Sequence, residues 1–146
     1  MAAQAWKLYN IAKENIGNST VSLSGDIWKI ALFKSTSNAS VLTSLSIGDV
    51  TNQVTNANGY VTGGITLSAT TWSVGTSAKA IQFDSTAAYW SANGGTITSI
   101  QFAVIYSSGG NELLCFSSLS SAIFSVTDTN SLTITPHDGS GIFEMV

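Results

Sequence analysis

The sequence contains no arginine, one histidine, one cysteine and one proline, and only 9% of its 146 residues are charged. An ordinary soluble domain is roughly a quarter charged. Each shortage excludes something. Five lysines and no arginine cannot form the basic stripe that neutralises phosphates, and the net charge of −3 argues the same way, so no nucleic-acid partner is expected. One histidine and one cysteine are too few soft ligands for a zinc site. A lone Cys115 has no partner for an internal disulfide; in the apolar setting Leu113-Leu114-Cys115-Phe116 it reads as a small buried hydrophobe rather than a reactive thiol. No apolar run approaches the length of about 18 residues that a membrane-spanning helix needs, so no membrane is expected. Residues 1–10 lack the basic stretch and apolar stretch of a secretion signal, and the chain is expected to be made in a reducing cytoplasm.

What fills the gap is polar but uncharged: 23 Ser, 17 Thr, 13 Gly and 10 Asn, beside 44% hydrophobic residues. That is enough apolar material for one core, and a single domain over residues 1–146 is expected. A surface of hydroxyls and amides repels its own copies weakly, which suits a protein that assembles.

The one helix expected covers residues 2–16, where Ala5, Leu8, Tyr9, Ala12 and Ile16 share a stripe and Gly17-Asn18 stop it. With it, residues 1–18 form an N-terminal arm. The period then changes to two. Strands are expected at 20–24, 27–34, 65–74, 78–84, 87–91, 97–106, 112–118, 123–127, 131–135 and 142–146, separated by turns such as Asn93-Gly94-Gly95 and Asp128-Thr129-Asn130. Residues 35–64 form a long excursion, rich in Ser, Thr, Asn and Gly, with a helical turn near 45–50. Many short strands with regular turns and Pro136 at a strand end imply an all-β fold. The architecture expected is an antiparallel β-sandwich, jelly-roll-like, with a short N-terminal helix; an up-and-down barrel is the alternative.

Catalysis has little to build on. His137 lies in the turn Pro136-His137-Asp138-Gly139, and no Gly-x-Ser-x-Gly elbow is present. Asp26, Asp49, Asp84, Asp128 and Asp138 stand singly in or beside turns, where aspartate is a turn former, without the clustering that calcium requires. Glycoside hydrolysis needs two facing carboxylates, and no local pattern nominates a pair. No enzyme activity, cofactor or metal is expected. The aromatic residues matter more. Trp72, Tyr89 and Trp90 sit in polar surroundings and could stack on sugar rings, helped by Asn93; the plain alternative is that they fill the core or an oligomer interface.

Several segments carry a resemblance: Trp6-Lys7-Leu8-Tyr9-Asn10, Lys29-Ile30-Ala31-Leu32-Phe33, residues 45–54 (LSIGDVTNQV), Asn58-Gly59-Tyr60-Val61-Thr62-Gly63-Gly64, Trp90 with Gly94-Gly95-Thr96-Ile97, Ala103-Val104-Ile105-Tyr106 and Gly139-Ser140-Gly141-Ile142-Phe143. In these the chain resembles small structural proteins of tailed bacteriophages, most nearly those that decorate or cement the capsid. The resemblance implies a virion protein on the capsid surface, whose partners are the major capsid protein and further copies of itself in a dimer or trimer. It also leaves room for a tail or head-fibre component, and the Trp72, Tyr89 and Trp90 rings keep open a carbohydrate-binding module on the virion surface. It implies no catalytic residues. The arm and the excursion are the segments expected to touch other chains, through Trp6, Tyr9, Asn58, Gly59, Tyr60, Gly63 and Gly64; the glycines serve equally well to close a surface loop.

Overall fold

A computed structural model describes residues 4–75, 80–136 and 141–145. In chain order the elements are Lys7–Leu8 (β1), Asn10–Gly17 (α1), Trp28–Lys34 (β2), a 3-10 turn at Ile47–Asp49, Ile65–Thr66 (β3), Thr71–Val74 (β4), Ile81–Asp84 (β5), Ala88–Ser91 (β6), Ile97–Ser107 (β7), Leu113–Ser118 (β8), Phe124–Val126 (β9), Ser131–Ile134 (β10) and Phe143–Met145 (β11). Among the described residues every strand pair is antiparallel. The protein is an all-β sandwich with a short helix near its N-terminus.

The large sheet runs β1-β8-β7-β2-β3, with β9 following β8 along the same edge of β7. Beside the central β7 lies β2, whose sequence WKIALFK is nearly continuously apolar, as expected of a strand covered on both faces. Ladder partners show which side chains share a face. Trp28, Ile30 and Leu32 stand opposite Ser107, Ile105 and Ala103; Ala31 and Phe33 stand opposite Val104 and Phe102.

Two small sheets, β10-β6 and β11-β5-β4, cover the first face. The Phe83 ring of β5 meets Trp28 edge-on at 5.8 Å, and Ala88, Ile134 and Ile142 close over Ile30 and Ile105 around a void of about 10 Å³. The second face is covered by α1 and the excursion. Tyr9 lays its ring 5.5 Å from Phe116 of β8 and donates its hydroxyl to the Ala39 carbonyl. Burial raises the Tyr9 phenol well above its ordinary value and does the same to the Cys115 thiol. The thiol is therefore inert, the small buried hydrophobe its setting suggests.

Three local expectations need correction. The N-terminal arm is not one helix over 2–16: residues 7–8 pair with Cys115 and Phe116, and the helix begins at Asn10. Leu8 and Tyr9 satisfy a helical stripe and a strand-to-helix passage equally, and pairing with β8 decides between them. Residues 20–24 form turns rather than a strand, because Asp26 and Ser22 draw the backbone round: Asp26 accepts the Ser22 N–H at 2.8 Å and Ser22 Oγ accepts the Gly25 N–H at 3.0 Å. Residues 65–74 are two strands, divided where Ala69 takes a left-handed φ of 51°. His137, Asp138, Lys79 and the ends of the strands expected at 78–84 and 142–146 fall outside the described residues.

The excursion at 35–64 is closely fitted. Asp49 makes a capping box with Ser46 at the 3-10 turn, inside the expected 45–50. Backbone hydrogen bonds from Ser46 and Leu45 hold the Asp49 carboxyl below its ordinary value. The chain then returns along the outer edge of β2: Lys34 N–H bonds Asn52 O, Val54 N–H bonds Leu32 O, and Leu67 N–H bonds Trp28 O.

Candidate functional site

The segment Asn58-Gly59-Tyr60, expected at a contact with other chains, is engaged within this one. Tyr60 is buried; its hydroxyl accepts the Leu32 N–H at 3.0 Å and the Gln53 side-chain N–H at 2.7 Å, and its ring lies 6.5 Å from Trp90. Asn58 donates its side-chain amide to Thr96 O at 2.9 Å, and its carbonyl accepts the Asn93 N–H. The two motif glycines with closest contacts are required by space: a Cβ on Gly59 would lie 2.1 Å from Ser91 O, and one on Gly64 1.9 Å from Ile30 O, both at positive φ. Gly63 accepts the Tyr106 hydroxyl at 2.8 Å. These residues fasten the excursion to the sandwich. Trp6 packs half-buried against the same core, and Tyr9 is fully buried. Inside this chain, then, the residues expected at an outer contact are structural.

The proposed sugar platform does not assemble. Tyr89 and Trp90 are adjacent on β6, so their side chains leave opposite faces. Trp90 is buried, with its indole N–H unpartnered among the described residues, while Tyr89 is 56% exposed and shares a 2.7 Å hydrogen bond with Ser131. Trp72, on the other small sheet, lies 5.9 Å from Phe143 with the ring planes tilted by 46°. The three rings share no surface, and this expectation is corrected by strand parity.

The sheet β11-β5-β4 holds a surface that the sequence reading missed. Register sets Trp72, Phe83 and Phe143 in one row and Val74, Ile81 and Met145 in the next, both on the same face. The other face carries Thr71, Ser73, Gln82, Asp84 and Glu144. The first row packs into the core through the Trp28–Phe83–Phe143–Trp72 ring contacts. The second row overhangs it: Val74 is 66%, Met145 49% and Ile81 42% exposed. An amphipathic sheet reads the same whether or not its apolar face outruns the core beneath, so alternation alone could not reveal the overhang. On the opposite layer, Val41, Leu42 and Leu45 of the excursion are exposed as well.

Two shallow clefts also lie among the described residues. One, of about 290 Å³, lies between β9 and β10. The other, of about 260 Å³, is lined by Thr55, Asn58, Thr96 and Thr98. Neither brings a charged side chain or a nucleophile–base pair together. Among the described residues no group of three or more His, Cys, Asp or Glu is placed to hold a metal ion, and no helix is long and apolar enough to cross a membrane.

Against known proteins, no family model, no curated sequence and no solved structure matches this chain.

Proposed function

We propose that this chain is a non-enzymatic structural protein of a bacteriophage virion, a capsid decoration or cement protein that binds the major capsid protein and further copies of itself. The observation that carries the assembly role is the exposed Val74–Ile81–Met145 row on the β11-β5-β4 sheet of a charge-poor molecule. Contiguous apolar surface of this kind is characteristic of sites that meet another protein. The second exposed group, Val41, Leu42 and Leu45, lies on the opposite layer, so one copy offers contacts on two sides. With 9% charged residues, such contacts bury few ions and depend weakly on salt. The bacteriophage assignment is supported by the resemblance of the segments quoted from the sequence.

The experiment is a cryo-EM map of purified particles, with the protein's position and copy number read from it. Density on the head, in many copies, is the expected result; density confined to the tail makes the protein a tail component, and absence from particles overturns the virion assignment. Heating particles with and without the protein tests cementing separately: equal capsid melting removes that role and leaves decoration.

A further inference from the structure

The chain contains two Asn-Gly pairs, Asn58-Gly59 and Asn93-Gly94, and the fold treats them in opposite ways. A glycine after asparagine leaves its backbone nitrogen unobstructed by a side chain, so that nitrogen can reach the asparagine amide carbon. We propose that Asn93 is a site of self-modification in the folded protein, converting to aspartate and isoaspartate with Asp128 as the proton acceptor, while Asn58 is held against the same reaction.

At Asn93 the parts are arranged around a free side chain. The Asn93 N–H is bonded to Asn58 O, while the Asn93 side chain is exposed and makes no hydrogen bond with the described residues. Gly94 sits at φ +77° with open space where a Cβ would stand. Its N–H donates to Asp128 Oδ1 at 3.0 Å. That carboxylate is fixed beside it because the turn carrying Asp128 is tied to Ala92 on both sides, through Thr129 N–H to Ala92 O and Ala92 N–H to Asn130 O. The in-plane N–H thus points at a base, while the nitrogen's π electrons remain available above and below the peptide plane.

The chemistry balances without an oxidant. The Gly94 nitrogen bonds to Asn93 Cγ, its proton passes through the Asp128 carboxylate to the departing amide nitrogen, and the Cγ–N bond breaks to release ammonia. The resulting five-membered succinimide is opened by water at either carbonyl, giving aspartate or isoaspartate. Asn58 lacks this freedom. Its amide is bonded to Thr96 O and lies within 3.0 Å of where a Cβ on Gly95 would be, while Gly59 is pressed against Ser91 O. It cannot turn onto the Gly59 nitrogen without abandoning those contacts.

The test incubates the purified full-length chain at mildly alkaline pH and follows each Asn-Gly peptide by mass spectrometry, with isoaspartyl methyltransferase labelling to identify the isomer. In the folded chain the amide-to-acid mass gain is expected on the Asn93 peptide and not on the Asn58 peptide; in denaturant both convert. Asp128→Asn is expected to slow conversion at Asn93 several-fold in the folded chain and leave the rate in denaturant unchanged. Asn93→Gln, with circular dichroism confirming the fold, is expected to abolish the gain. Folded-state conversion of Asn58 as fast as Asn93, or no conversion of Asn93 while the denatured chain converts, overturns the proposal. An unchanged or faster rate in Asp128→Asn removes the carboxylate from it.

Discussion

The hydroxyl of Tyr60 takes the place of a strand: it accepts the Leu32 N–H at 3.0 Å on the outer edge of β2, between the stretches paired by residues 52–54 and 65–67. Without it a backbone donor in the middle of the core would be unmatched. Tyr60→Phe removes that acceptor and the partner of Gln53 while keeping the ring. The expected loss is about 1–3 kcal/mol, the cost of a buried group left unsatisfied. Urea unfolding should show a lower midpoint at an unchanged slope; an unchanged midpoint would mean the Leu32 amide finds another partner.

Glycine substitutions should separate by space rather than by position in the sequence. Gly64→Ala sets a Cβ 1.9 Å from a backbone carbonyl at φ +72°, so the excursion must lift from β2, and the variant is expected to fold poorly or not at all. Gly17→Ala, at the last helical residue with nothing within 4 Å, should stabilise by roughly 0.5–1 kcal/mol. Thermal melts of the two variants in one buffer make the comparison.

The fate of the aromatic residues can be checked by truncation. Trp90→Ala empties a buried site in contact with Tyr60 and is expected to cost roughly 3–5 kcal/mol. Tyr89→Ala, one residue away on the exposed face, should change stability by no more than about 0.5 kcal/mol. Equal losses in denaturant unfolding would contradict the opposite facing of the two side chains.

Alkali should unfold the protein through its buried phenols. Burial raises Tyr9 and Tyr60 above their ordinary value of 10.0, so the folded state keeps protons that the unfolded chain releases. Their contribution is whole below pH 10.0 and is lost as pH climbs past it, because unfolding is then accompanied by proton release. Tyr89, lowered by its bond to Ser131, should ionise first. Phenolate absorbance against pH is therefore expected to show an early step with the fold intact, and Tyr9 and Tyr60 appearing only as circular dichroism collapses. Their appearance before the collapse would disprove the coupling.

The association surface predicts a variant that folds but does not assemble. Ile81→Lys places a charge at the middle of the exposed row, where no core contact is lost. Its melting temperature should stay close to the parent's, while binding to particles falls; retained binding would move the contact elsewhere.

The sequence made the strands legible wherever alternation and turn residues agreed, as in Ile97–Ser107 and Ser131–Ile134. It misled where one pattern served two structures: the apolar positions of the N-terminal arm fit helix and strand, and residues 65–74 gave no warning that Ala69 would turn the chain. Strand parity could have separated Tyr89 from Trp90, since neighbours in a strand face opposite ways. The Tyr60 plug and the overhanging row could not be read beforehand. Both depend on residues distant in sequence: the first on where the excursion returns, the second on how far the core extends beneath a sheet.

The pairing of β1 with β8 has a consequence for biosynthesis. Ser117 donates its hydroxyl to the Gln4 carbonyl across 113 residues, and the neighbouring Leu8 stands opposite Cys115. β1 is thus made long before its partner β8 and must wait for it. β2 must also wait for the central β7. Contacts this distant make closure slow, and the nascent chain carries unpaired, apolar strand edges until β7 and β8 have been made. Elongation rate and chaperone capacity, rather than the stability of the finished sandwich, should therefore govern the yield of native protein in the cell.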